Sequence, residues 1–325
     1  MLITKTIPDE GVRILQDAGV EIWMYDGPRD RGHLLHDARQ VDGIVSMLTD
    51  RIDSELLNAG NRLRGIANFA VGVDNIARDS ANRLGILICN TPDVLTDSTA
   101  ELAWALILAA ARRVVEGDRL VREGRFTGWH PMMLRGVELA GKTLGVIGAG
   151  RIGCAVARRA PAFGMRTLYW NRTPRPDLER DAQAVRSDLE PLLREADVVS
   201  LHCPLTPETR HLLSRERLSL MKSSAILVNT ARGPLVDEAA LAEMLASRRL
   251  AAAGLDVYER EPEVQPGLVG LPNVVLLPHL GSATRDARGR MAALAARGIL
   301  DVLSGRIPPN LINPEALPAR RPAVL

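Results

Sequence analysis

Aromatic side chains are scarce: three Phe, three Tyr and four Trp amount to 3% of 325 residues. The cores of this chain therefore rest on aliphatic packing. An interleaved aromatic and basic face, the mark of a nucleic-acid surface, is lacking. Cysteine is equally sparse. Cys89, Cys154 and Cys203 are scattered. None pairs with another Cys or a His at zinc-ligand spacing, so neither a disulfide framework nor a metal site is expected. Unpaired thiols suit a reducing compartment, and the expected location is the cytoplasm. The opening MLITKTIPDEG has no signal-peptide apolar core. The longest apolar run, 102–111, is too short to span a bilayer. Net charge is only +2, without a long basic block, so neither nucleic acid nor a membrane is an expected partner. Internal repeats are absent.

What is present is an ordinary globular composition, 46% hydrophobic and 25% charged, with length for two cores. In residues 1–92, strand-like runs recur at 2–4, 20–24, 43–47, 64–68 and 86–89, with helical patterns such as 9–18 and 54–58 between them. That alternation predicts a mostly parallel sheet covered by helices, whose ligands meet the carboxyl ends of the strands. Two loops stand there. One contains Leu48. The other contains Val71 and Gly72, and reads either as a structural turn or as a source of backbone N–H groups for a carboxylate. Beyond the break at Thr91-Pro92-Asp93, Ser98-Thr99-Ala100-Glu101 has the form of a capping box, predicting a helix from Glu101 to about Arg113. A more polar helix should cover 114–123, and an irregular arm 124–139. A last helix, about 284–303, is expected to return to the first domain, followed by an irregular tail from Pro308.

The middle of the chain reads GKTLGVIGAGRIGCAVARRAPAFGMRTLYWNRT from Gly141 to Thr173. An apolar run at 143–147 leads into Gly148-Ala149-Gly150-Arg151-Ile152-Gly153. A helical stretch follows, then a second strand at 166–170. This is a G-x-G-x-x-G in a βαβ unit, the context that predicts dinucleotide binding. Gly148 permits the turn, Gly150 lets backbone approach a pyrophosphate, and Gly153 lets helix pack on strand. The new helix N-terminus, at Arg151 and Ile152, offers N–H groups and a positive dipole end. After the second strand, where an NAD site usually has a carboxylate, stand Asn171, Arg172 and Thr173. Arg172 can pair with a 2′-phosphate, which favours NADPH, with NADH accepted less well. As an alternative, Arg172 is simply a solvated loop arginine.

Further strands, at 197–201, 224–229, 252–256 and 274–277, end in polar loops: His202-Cys203-Pro204, Thr230-Ala231-Arg232, Val257 to Pro262, and Pro278-His279-Leu280-Gly281. Arg232, Glu261 and His279 each have a bland reading as solvated loop residues. Beside a dinucleotide they make joint chemical sense. A ketone receiving hydride needs a proton, which His can supply. A carboxylate behind the imidazole orients it. A guanidinium binds a substrate carboxylate and polarises its carbonyl.

These motifs resemble the D-2-hydroxyacid dehydrogenases, and among them the glyoxylate/hydroxypyruvate reductases. The resemblance is carried by AVGVDNI at 70–76, TPDVLTDSTAEL at 91–102, GAGRIG at 148–153, LHCPLTPET at 201–209, Asn229 to Gly233, GLDVYEREP at 254–262 and PHLGSAT at 278–284, in order along nearly the whole chain. It implies two Rossmann-like doubly wound parallel-sheet α/β domains. The N-terminal one is flavodoxin-like and completed by the C-terminal helix, with 1–96 and 286–325 as substrate domain and 97–285 as dinucleotide domain. It implies NAD(P)H-dependent reduction of glyoxylate to glycolate and hydroxypyruvate to D-glycerate, with Arg232, Glu261 and His279 catalytic. It adds Thr99, Cys203, Pro204, Thr209, Thr230, Ala231, Asp256 and Gly281 to the cofactor contacts. Leu48, Val71 and Gly72 become substrate contacts, and the assembly a homodimer whose arm crosses to the partner. Other 2-hydroxyacid dehydrogenases, and dinucleotide-sensing interaction proteins built on this fold, are the competing readings.

Overall fold

Short aliphatic runs, each too apolar to leave a face in water, pair in parallel along the chain. In the computed structural model, which describes residues 1–26 and 30–325, they form two sheets in two units: 1–95 with 282–325, and 96–281.

The first unit holds β1 (Leu2–Ile3), β2 (Trp23–Met24), β3 (Gly43–Ser46), β4 (Gly65–Asn68) and β5 (Leu87–Cys89), ordered β2-β1-β3-β4-β5 with every pairing parallel. This is the flavodoxin-like order. Strands β3 and β4 are buried at every residue, as expected of parallel strands covered on both faces. The helix Arg285–Leu303 supplies much of one cover. Its Ala292, Ala295, Ala296, Ile299 and Leu303 pack with Ile3, Leu15, Val45 and Ala67. Full burial of a residue such as Ile299 contributes about 1.5–3 kcal/mol. The C-terminal helix thus belongs to the first core. The second expected strand is shorter than 20–24, because only Trp23 and Met24 register on β1. The tail is not wholly irregular: Pro314–Ala319 forms a 3-10 helix, anchored by Asn313, whose side chain bonds Ile88 N–H and Ile86 C=O.

The second unit has seven strands: β6 (Thr143–Ile147), β7 (Arg166–Trp170), β8 (Val185–Arg186), β9 (Val198–Leu201), β10 (Ile226–Asn229), β11 (Ala252–Leu255) and β12 (Val274–Leu276). Their order, β12-β11-β10-β9-β6-β7-β8, reverses direction between β6 and β9. At such a switch point a crevice opens beyond the carboxyl ends. The helix Thr96–Ala111 covers this sheet with Ala100, Ala103, Leu106 and Ile107. It corrects the capping-box reading. Asp93 takes φ 69° and the chain turns at 94–95. The helix therefore starts at Thr96, and Ser98 lies inside its first turn. The polar helix Val114–Arg122 is separated by Arg113, which breaks the path at φ 53°. Among the described residues no helix is long and apolar enough to cross a membrane, and no His, Cys, Asp and Glu cluster is suited to a metal ion.

Candidate active site

The glycine loop leaves β6 at the switch point. Gly148 sits at φ 95°, and a Cβ there would lie 2.5 Å from the backbone N of Cys203, in the loop after β9. A Cβ on Gly153 would lie 2.0 Å from the Gly148 carbonyl oxygen. These two glycines let backbone meet backbone. Gly150 differs, since a Cβ there meets nothing within 4 Å. Open space therefore lies over the start of the helix Arg151–Arg159, where N–H groups lack intrahelical partners. The Thr230 hydroxyl, at the end of β10, is buried without a protein partner. Open space at Gly150, a helix N-terminus and an orphaned hydroxyl on one sheet edge fit a phosphate-bearing dinucleotide.

Asn171 also ties the loop together. Its Oδ1 accepts the Ala149 N–H at 3.2 Å and its Nδ2 donates to the Thr173 carbonyl at 3.0 Å, tying the end of β7 to the glycine loop. Arg172 and Thr173 are exposed beside it. Sequence reasoning missed two arginines here. Arg175 reaches the Ala149 carbonyl and pairs with Asp177, whose carboxyl it holds well below the usual range. Arg186 donates to the carbonyls of Asn171 and Arg172 at 3.3 and 3.2 Å. Arg186 lies on β8, whose two exposed residues carry no apolar pattern.

Three strand ends along the same edge carry the ionisable groups. After β10, Asn229 fixes the loop: its Oδ1 accepts Ala231 N–H at 3.0 Å and its Nδ2 donates to the Arg232 carbonyl at 2.8 Å. After β11, Asp256 is fully buried and accepts N–H groups of Leu280 at 2.6 Å and Gly281 at 2.8 Å. Burial nevertheless pushes its pKa up. After β12, His279 adopts φ 56°. Its Nδ1 lies 2.9 Å from Glu261 Oε2, both side chains being 26% exposed. Glu261 Oε1 accepts the Tyr258 N–H at 3.0 Å. Burial raises the Glu261 carboxyl, but the His279 bond and charge, the Tyr258 N–H and the Arg232 charge outweigh it, and the net shift is downward. Glu261 is thus an anion that only accepts, so Nδ1 carries a hydrogen towards it and Nε2 is left to exchange a proton.

The structure brings Arg232, Glu261 and His279 together on the second unit's sheet edge. Thr99 joins them by donating its hydroxyl to the Gly281 carbonyl at 3.0 Å. Thr209 holds the loop after β9, donating to Pro204 C=O at 2.7 Å. The Cys203 thiol is pushed up to about 11 by burial, which makes it an inert packing group. Leu48, Val71 and Gly72 lie in the first unit, beyond β3 and β4.

Residues 104–281 match the model of the D-isomer specific 2-hydroxyacid dehydrogenase NAD binding domain. The chain belongs to this family. Among similar proteins, the glyoxylate reductase of Aeropyrum pernix is 50% identical over 99% of this chain and 98% of its own length. A structure from Thermus thermophilus is 48% identical with a TM-score of 0.90, covering 96% of this chain and 99% of that one. An NADPH-dependent glyoxylate/hydroxypyruvate reductase from Sinorhizobium meliloti, solved with NADP and malonate, is 33% identical with a TM-score of 0.88, covering 99% of this chain and 98% of that one. Membership makes the protein a nicotinamide-dependent oxidoreductase of the 2-hydroxyacid class. That class of chemistry agrees with a glycine loop and the His279–Glu261 pair on one sheet edge.

Proposed function

We propose that the protein reduces small 2-oxo acids, glyoxylate and hydroxypyruvate first, with NADPH preferred over NADH. The observation that carries this reading is the His279–Glu261 pair at 2.9 Å, set on the strand-end edge that also bears Arg232 and the glycine loop. Its chemical class agrees with the names of the similar reductases.

Gly150, Arg151 and Ile152 hold the pyrophosphate of the dinucleotide, which supplies hydride when bound. Cys203, Pro204, Thr230, Ala231, Asp256 and Gly281 line the rest of its path, with Thr99 and Thr209 shaping that path through the hydrogen bonds described above. Arg232 takes the carboxylate of the 2-oxo acid and polarises its carbonyl. His279 gives its Nε2 proton to the carbonyl oxygen as that oxygen gains charge. Glu261 stabilises the protonated ring beforehand and fixes its orientation throughout. In the first unit, the Leu48 loop and the N–H groups of Val71 and Gly72 are substrate contacts, the latter donating to a carboxylate. Arg172, with Thr173 beside it, pairs with the 2′-phosphate. The arm supports a homodimer: Phe126, Trp129 and Met132 are 49%, 80% and 56% exposed, an apolar surface that suits a second copy. The expected compartment is the cytoplasm.

A steady-state matrix tests the reading, with NADH and NADPH against glyoxylate, hydroxypyruvate, pyruvate and a longer 2-oxo acid. Reduction of none of them with either cofactor ends it. His279→Ala should lower turnover by at least about 100-fold. Arg172→Ala should raise the KM for NADPH by about tenfold and leave that for NADH within about twofold, as loss of one charged phosphate contact requires. Equal effects on both cofactors would remove the phosphate assignment.

A further inference from the structure

Glu238 opens the helix Glu238–Ala246, directly after Asp237, whose side chain accepts the Ala240 N–H. An acid in a first turn is ordinarily a solvated partner of the helix dipole. Glu238 is instead only 5% exposed. Its Oε1 accepts the backbone N–H of Glu259 at 2.6 Å. One residue earlier in the same turn, the Tyr258 N–H holds Glu261. Gly233 grips this turn from another side. A Cβ there would fall 1.8 Å from the carbonyl carbon of Tyr258 and 2.3 Å from the N of Glu259. The segment 233–238, which starts beside Arg232, therefore clasps the turn that presents Glu261.

The carboxyl is expensive where it stands. Burial, then the charges of Glu259 and Glu261, push its pKa up to about 7 against the pull of the Glu259 N–H. Glu259 is itself paired with His211 at 2.7 Å and Arg210 at 3.3 Å, and Glu261 with His279. Arg260 and Glu263 line with Glu238 a cavity of about 310 Å³. An apolar side chain would fill the position at lower cost to folding. What only an acceptor supplies is the bond to Glu259.

We propose that Glu238 is a positioning residue, which fixes the Glu259 N–H and so sets the turn that aims Glu261 at His279 in register with Arg232. The proposal rests on the reading of Arg232, Glu261 and His279 as the reacting groups. Glu238 touches none of the reactants and acts through Glu261.

The test pairs Glu238→Leu, which fills the site without an acceptor, with Glu238→Gln, which keeps one. Each is made alone and in a Glu261→Gln background, with melting temperatures recorded. Glu238→Leu should lower kcat for glyoxylate by about tenfold, the scale of one lost charge-assisted bond, with KM within about twofold. Glu238→Gln should stay within about threefold of wild type. In the Glu261→Gln background, Glu238→Leu should cost less than about twofold more, since residues acting through one group are not additive. In cofactor-free protein, the NMR signals of the His279 ring should move in the same sense for Glu238→Leu as for Glu261→Gln. Fully additive losses, a KM that rises in step with the kcat loss, or unmoved His279 signals in Glu238→Leu would overturn the proposal. Should Glu238→Leu not fold, Glu238→Gln decides, and a tenfold loss of kcat at unchanged melting temperature overturns it. Turnover surviving His279→Ala would remove the underlying reading. Dependence on His279 together with an unaffected Glu238→Leu would remove this inference alone.

Discussion

Both units end their parallel strands in loops that bonded side chains must hold, yet they hold them with different chemistry. In the first unit most of these bonds run between neutral groups, with the Asp50 carboxylate also accepting the Met47 N–H at 2.7 Å. Ser46 donates to Asn68 Oδ1 at 2.9 Å, Asn68 donates to the Gly72 carbonyl at 2.8 Å, and Asn75 donates to the carbonyls of Met47 and Asp50 at 3.1 and 3.0 Å. Asn68 and Ser46 are fully buried. In the second unit the neutral groups Asn229, Thr99 and Thr209 hold part of the corresponding edge, and Asp256, Glu238, Glu261 and His279, all ionisable, hold the rest. The contrast teaches a division of labour. Amides and hydroxyls keep a loop in place at any pH. Ionisable groups keep it in place through bonds that depend on protonation.

The largest expected effect that sharpens this contrast is Arg232→Ala, which leaves the fold intact but should cost about 10³ in kcat/KM, roughly 4 kcal/mol of transition-state stabilisation. A loss under tenfold, measured by steady-state kinetics, would remove Arg232 from the reacting groups. Next comes Asn68→Ala. It strands Ser46 and the Gly72 loop and should destabilise the protein by about 2–3 kcal/mol, equally at pH 5 and pH 8. Denaturant unfolding at the two pH values measures this, and a difference above about 1 kcal/mol breaks the neutral half of the comparison. The smallest effect is reserved for Glu238→Gln. Because the folded pKa of Glu238 lies near 7 and its ordinary value is 4.5, the native state binds the proton more tightly. Wild-type stability therefore falls as pH rises from about 4.5 to 7. Glu238→Gln removes that fall, so it should gain about 1–3 kcal/mol on wild type between pH 5 and pH 8. An unchanged difference across that range would break the ionisable half.

Much of this was legible in the chain. The runs at 143–147 and 166–170 match β6 and β7 residue for residue, β6 because it is a mostly apolar stretch buried at every residue between Gly141 and Gly148, and β7 because it follows the Gly164 turn and keeps a buried Thr167-Leu168-Tyr169 middle. The His279–Glu261 partnership was legible through chemistry rather than pattern. Other features were hidden for physical reasons. Ser98 to Glu101 spell a cap, but the left-handed Asp93 starts the helix two residues before it. The Asn171 bond to Ala149, 22 residues away, is tertiary and left no mark in the sequence. Glu238 follows an N-capping Asp, where an acid usually faces water, so nothing local signals its burial. Arg186 sits on a two-residue edge strand with no periodicity to announce it.

His279 also has a backbone consequence. At φ 56° a side chain crowds its own main chain, and glycine would rest there with less strain. The residue proposed to transfer the proton is thus one that folding by itself would not choose. The sheet edge and the Asp256 bonds to Leu280 and Gly281 hold that disagreement in place. As at Asp93 and Arg113, local preference and final structure conflict here, and at His279 the conflict falls on the ring proposed to exchange a proton.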